Sequence, residues 1–181
     1  MTNDEYKEKI RGLGWLELRD LFAQIEARDT PGWEPGKAFE YLVPRLFELD
    51  GAIVRWPYEV QLHGHIVEQI DGAVKVAGLH GLLECKDQKE PLAIAPVAKM
   101  RNQLQRRPAA SLGMIFSMSG YTEPAKVLTG YLGSQTVLLW FPGELRLAID
   151  RKRIVPLLEF KYGLCVEEGF HDTDTADMGI L

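Results

Sequence analysis

Residues 68–86 read Glu68-Gln69-Ile70-Asp71-Gly72-Ala73-Val74-Lys75-Val76-Ala77-Gly78-Leu79-His80-Gly81-Leu82-Leu83-Glu84-Cys85-Lys86, and their alternation decides the fold. Apolar residues recur with a period of two on either side of Ala77-Gly78, the pattern of a β-hairpin. Counting outward from a turn on that dipeptide, Asp71 falls opposite Glu84 and Gln69 opposite Lys86. Successive strand side chains point to opposite faces. One face therefore carries Gln69, Asp71, Lys75, His80, Glu84 and Lys86, and the other carries Ile70, Val74, Val76, Leu79, Leu83 and Cys85. The second face packs on a core, which leaves the carboxylates and a lysine converging on the first.

Directly opposed carboxylates have Cβ atoms only ~4.5–5.5 Å apart and repel unless something positive lies between them. A hard divalent cation fits, and Mg²⁺ takes one or two carboxylates while keeping several waters. Lys86 points at the same place. Two carboxylates and an ammonium around one metal suit phosphodiester hydrolysis: the ion polarises the phosphate and acidifies water, and the lysine orients that water or offsets developing charge. A solvated hairpin face of mixed charge is the plainer alternative.

Ile70-Asp71-Gly72, a hairpin-length gap and Glu84-Cys85-Lys86 resemble the signature of the PD-(D/E)XK nuclease superfamily, in particular its Mrr-like restriction endonuclease branch. The resemblance covers roughly residues 36–141. It implies an α/β fold, a restriction-endonuclease-like mixed sheet with helices on both faces. It also implies an Mg²⁺-dependent DNA endonuclease, with Mn²⁺ able to substitute, serving restriction or another form of genome defence. Asp71 and Glu84 would be metal ligands and Lys86 catalytic. The backbone carbonyl of Cys85, the middle residue of Glu-x-Lys, would be a further ligand. Gly36-x-x-Phe39-Glu40 before an apolar helix resembles the first helix of Mrr-like proteins, which adds Glu40 to the catalytic set near the metal; taken alone, Glu40 is a surface glutamate beside an apolar stripe.

Composition sets the outer limits. A chain of 181 residues, 46% hydrophobic and 26% charged, fits one domain with a sizeable core. No apolar run approaches the ~20 residues that span a bilayer, and the N-terminus lacks a signal-peptide pattern. Cys85 and Cys165 form neither a metal knuckle nor a disulfide framework, so both are expected to be reduced thiols in a cytoplasmic protein. The net charge of −5 runs against the basic balance common in DNA binders, although a local patch matters more than the total.

Along the chain, residues 1–30 are expected to hold two helices broken near Gly12 and Gly14, the first capped by Asn3. They pack on the core or form a dimer contact. Residues 36–49 form a helix containing Pro44, and residues 52–61 a strand leading through His63-Gly64-His65 into the hairpin. The two histidines suit a turn better than zinc. A helix over 94–107 places Lys99, Gln103, Arg106 and Arg107 along one side at spacings of three and four. That side is either a solvated face or a phosphate-binding edge, and the resemblance adds Gln103 in preference to Gln105. Residues 111–117 and 136–140 read as buried strands around a helix at 123–129 that Thr122 caps. Tyr121 either anchors the turn before that helix or stacks on a base. Helices fill 142–169, and 170–181 is expected to be a loose tail.

Two function classes remain: the DNA endonuclease, with a junction-resolving nuclease close to it, and a non-catalytic module on the same fold that binds nucleic acid or a partner chain. The chain leaves little room for a target-recognition domain, so weak specificity or a partner protein supplying it is expected. So is a homodimer, since one such site cuts one strand.

Overall fold

The computed structural model describes residues 1–131, 135–176 and 178–179. The hairpin turn lies where the alternation puts it. Ala77 and Gly78 both adopt positive φ, 51° and 78°, the type I′ geometry whose twist matches flanking strands. The strands it joins are β4 (Gly72–Val76) and β5 (Leu79–Lys86), in antiparallel register from Val76↔Leu79 out to Gly72↔Leu83.

The stretch before Gly72 departs from the expected continuous strand. β3 (His65–Ile70) ends at Ile70, Asp71 sits in a bend, and β3 pairs with β2 (Tyr58–Leu62) in a separate two-stranded ribbon. The expected strand over 52–61 is likewise two: β1 (Ile53–Arg55) pairs with β4, and Trp56-Pro57 separates it from β2. Proline has no N–H to give a ladder, which accounts for the break. Gly72 is needed at the junction because a Cβ there would stand 3.1 Å from Leu83 Cδ1 and 3.2 Å from the Arg55 carbonyl. His63-Gly64 forms the turn of the ribbon, again with both φ positive.

The main sheet runs β1-β4-β5-β6-β7, with β6 (Ser111–Ser117) and β7 (Thr136–Trp140) parallel to β5. The parallel steps cross over through α4 (Ile94–Leu104) and α5 (Glu123–Gly130). Side chains of β6 and β7 alternate between two apolar layers. Met114, Phe116, Leu138 and Trp140 pack toward the layer of the N-terminal helices, and Ile115, Val137 and Leu139 toward that of α4 and α5. The fold is thus mixed α/β, with a mixed five-stranded sheet and helices on both faces.

On the first side lie α1 (Asn3–Arg11), α2 (Trp15–Ala27), α3 (Lys37–Leu49), α6 (Pro142–Arg151) and α7 (Val155–Glu168). Phe39, Leu42, Val43, Leu46 and Phe47 of α3 are fully buried, each contributing about 1.5–3 kcal/mol relative to exposure. The cap of α1 is Thr2 rather than Asn3, completed by Glu5 in a capping box. Thr122 precedes α5 but its hydroxyl makes no capping bond. Tyr121 is buried, its hydroxyl bonded to the Ile115 carbonyl at 2.6 Å, so it anchors the turn.

Residues 170–176 are not loose. The Leu139 N–H donates to the His171 carbonyl at 2.9 Å. Thr175 is fully buried and donates to Glu144, which also pairs at 2.7 Å with the buried Lys161. Residues 177, 180 and 181 of the expected tail lie outside the described residues. Among the described residues no helix is long and apolar enough to cross a membrane.

Candidate functional site

β5 delivers Glu84, Cys85 and Lys86 to the end of the sheet where β4 stops. Beyond Gly72–Leu83 the antiparallel ladder ends, and the Asp71 side chain takes over: its Oδ2 accepts the Cys85 N–H at 2.7 Å. Asp71 is therefore held at the sheet edge beside Glu84. The Lys86 ammonium sits between them, 2.6 Å from Glu84 Oε1, 3.4 Å from the Cys85 carbonyl and 3.9 Å from Asp71 Oδ2.

Asp71, Glu84 and Lys86 come together although Asp71 lies outside the ladder, whereas Gln69, expected opposite Lys86, pairs with Glu59 of β2; the face the three share is not open. Glu84 is 1% exposed beneath α4, and Ile70 packs with Leu82 in the α4 layer rather than with Val74 and Leu83. The bend at Asp71 breaks the phase of the alternation, so Ile70 changes sides. Helix α4 approaches closely because residue 113 of β6 is glycine: a Cβ there would meet Met100 Cγ at 2.5 Å.

That approach brings Lys99 of α4 onto both oxygens of Glu84, at 2.6 and 2.9 Å. Each oxygen of the buried carboxylate thus has an ammonium partner, and two carboxylates are matched by two lysines. Lys99 was expected on a phosphate-binding edge; its pairing with Glu84 has no signal in the spacing, since fifteen residues and a change of element separate them.

The remaining members of that edge are also engaged. Gln103 is buried, with its amide 3.4 Å from the Gln69 carbonyl. Arg106 and Arg107 both clamp Glu68 of β3. The pairing with Arg107 leads the causes that hold the Glu68 carboxyl below its usual range. The expected free basic track is therefore largely neutralised by acids on the neighbouring strands. Between β3 and α4 runs a cleft of about 730 Å³, with Lys99 and Arg106 in its wall.

Glu40 lies on α3, paired with Lys37 one turn earlier, and its charge adds slightly to the field on Asp71. Burial first, and then the Glu84 charge, push the Asp71 carboxyl from an ordinary 3.8 up to about 6. Burial works against the Lys86 ammonium, but Asp71 and Glu84 outweigh it and hold the group above its usual range. The Cys85 thiol is fully buried, and desolvation pushes it well up, so it is a core thiol and not a nucleophile.

A divalent cation can be tested against this donor set. Among the described residues no three His, Cys, Asp or Glu side chains converge on a metal position. The available set is two carboxylates and one backbone carbonyl, with water for the rest, the hard oxygen environment Mg²⁺ accepts. Lys86 Nζ is a cation already surrounded by those three groups, so the site suits positive charge.

No family model matches this chain, and no curated protein does. Among solved structures it is similar to a crystal structure of a protein of unknown function, AF1548, at 17% identity, covering 82% of this chain and 78% of that one with a TM-score of 0.48. A likeness of that size says nothing about activity.

Proposed function

We propose that this chain is a metal-dependent nuclease that hydrolyses phosphodiester bonds in DNA, built like the Mrr-like PD-(D/E)XK enzymes and acting in the cytoplasm in restriction or genome defence. The observation that carries the reading is the convergence of Asp71, Glu84 and the Cys85 carbonyl on one cation position, marked by Lys86 Nζ within 2.6–3.9 Å of all three. Asp71 and Glu84 would hold Mg²⁺ or Mn²⁺ with that carbonyl. The bound ion supplies charge that offsets the scissile phosphate and acidifies water. Lys86 contributes an ammonium against the negative charge that grows as the bond breaks. Glu40 borders the site from α3. The cleft between β3 and α4 receives the nucleic acid, and a second copy of the chain serves the second strand.

A non-catalytic module is the second reading, favoured by one feature: both oxygens of Glu84 already have ammonium partners. Incubation with supercoiled plasmid separates the two. The nuclease nicks or linearises it in Mg²⁺ or Mn²⁺, not in excess EDTA, and Asp71→Asn or Glu84→Gln abolishes cutting. Cutting in EDTA, or parental cutting by Glu84→Gln, overturns the metal site. Binding without cleavage under any divalent ion favours the second reading.

A further inference from the structure

We infer that Lys99 is a positioning residue that competes with the metal for Glu84 and yields it when a nucleic-acid phosphate enters the cleft, so that ion and nucleic acid bind as a coupled pair. This rests on the reading of Asp71 and Glu84 as metal ligands.

Three observations lead to it. First, Lys99 holds both oxygens of a buried carboxylate, at 2.6 and 2.9 Å, while Lys86 adds a second contact to Oε1. Asp71, Glu84, Lys86 and Lys99 together carry no net charge. A divalent cation entering that group either displaces an ammonium or leaves two uncompensated positive charges beside a buried carboxylate, and the second course is unfavourable.

Second, the two lysines are not equally free to leave. Lys86 is two residues from Glu84 on the same strand, with contacts to Asp71, Glu84 and the Cys85 carbonyl. Lys99 comes from a different element, its side chain is 42% exposed, and among the described residues Glu84 is the one carboxylate its ammonium contacts. A flexible stem lets such a group change partners by rotamer alone.

Third, Lys99 stands in the wall of the cleft, with Arg106 in the turn just past the end of the same helix. Arg106 is already committed to Glu68, which leaves Lys99 as the α4 cation whose present partner is itself a proposed metal ligand. A phosphate in the cleft offers Lys99 a new anion, and Glu84 is then released to the ion. Neither event is favourable alone: the ion without the phosphate meets a neutral cluster, and the phosphate without the ion strips a buried carboxylate of one of its two ammonium partners. Linkage makes the effect reciprocal, so nucleic acid tightens metal binding by the factor by which metal tightens nucleic-acid binding.

The test is Mn²⁺ binding, followed by the paramagnetic signal of free Mn²⁺, on the full chain with and without a short phosphorothioate DNA duplex that resists cleavage. For the parent, the duplex should tighten Mn²⁺ by about tenfold, within the usual span of coupling between sites. Lys99→Gln keeps polarity and most of the length without charge. It should bind Mn²⁺ about tenfold more tightly than the parent in the absence of duplex, and gain little more when duplex is added. Lys99→Met should behave alike, and Lys99→Arg should restore the parental coupling. Lys99→Gln and Lys99→Met that bind Mn²⁺ no more tightly than the parent without duplex, or a duplex effect equal in all variants, overturns the inference while leaving the metal site standing. Failure of parent and variants alike to bind Mn²⁺ overturns the metal site and the inference with it.

Discussion

Replacing Asp71 by asparagine in the metal-free protein should raise stability at neutral and alkaline pH while leaving it unchanged in acid. The Asp71 carboxyl is 13% exposed beside the buried Glu84, and burial followed by the Glu84 charge lifts it from 3.8 to about 6. An acid whose pKa is higher folded than unfolded holds its proton more tightly in the folded state. Its contribution is therefore fully favourable below the unfolded value and is lost as pH rises through the folded one. Between about pH 4 and pH 6 the parent forfeits roughly 1.4 kcal/mol for each unit of difference, about 3 kcal/mol in all. The amide of Asp71→Asn never ionises, and its oxygen still accepts the Cys85 N–H, so the variant escapes most of that loss. The pull of the Lys86 ammonium is already counted in that folded value, so the gain at about pH 8 is about 3 kcal/mol at most. Urea denaturation in EDTA at about pH 4 and pH 8 reads the difference, with equal slopes required for a clean comparison. Excess Mg²⁺ should then stabilise the parent alone, since an ion that binds only the folded state adds to its stability. A variant no more stable than the parent at about pH 8 in EDTA would refute the argument that burial and the Glu84 charge raise the Asp71 carboxyl.

Two further perturbations probe the frame around the site. Ala77 occupies the left-handed region at φ 51° in the type I′ turn, where asparagine is at home; Ala77→Asn should stabilise the fold by about 1 kcal/mol, and an unmoved urea midpoint would contradict the turn assignment. Glu68→Ala removes the acid that holds Arg106 and Arg107 against β3. Hydrogen exchange should quicken at the amides of β3 and not in the β5–β6 ladder, and uniform protection in both would show that the clamp holds nothing.

The hairpin was legible because its information is local: a glycine at the turn and strict alternation define the register from Val76↔Leu79 to Gly72↔Leu83. What lay beyond Gly72 was not. Alternation continues through Ile70 in the sequence, but Pro57 ends β1 and the bend at Asp71 starts a separate ribbon, which sends Ile70 to the opposite layer. Glu84 reads as a residue of the polar face, yet β5 lies inside the sheet and is covered on both sides, so its carboxylate is buried with its counter-ions. Those counter-ions were legible only in part. Lys86 shares the strand, whereas Lys99 arrives from a helix whose height above the sheet is set by Gly113. The basic side of α4 showed the converse problem: its spacing is plain in the sequence, but the acids that neutralise it come from β3 and β5. The C-terminal segment misled for the same reason, since Thr175 is fixed by Glu144 on α6, thirty-one residues earlier.

The central claim is that Asp71, Glu84 and the Cys85 carbonyl hold a divalent cation beside Lys86 Nζ. Anomalous scattering from crystals of the chain grown with Mn²⁺ and a cleavage-resistant DNA duplex tests it most directly. The account predicts one strong peak within bonding distance of an Asp71 oxygen, a Glu84 oxygen and the Cys85 carbonyl, with Lys99 displaced from Glu84 and Lys86 kept beside the ion. A crystal in which the duplex occupies the cleft, no peak lies at Asp71 and Glu84, and Lys99 remains on the Glu84 carboxylate would contradict it.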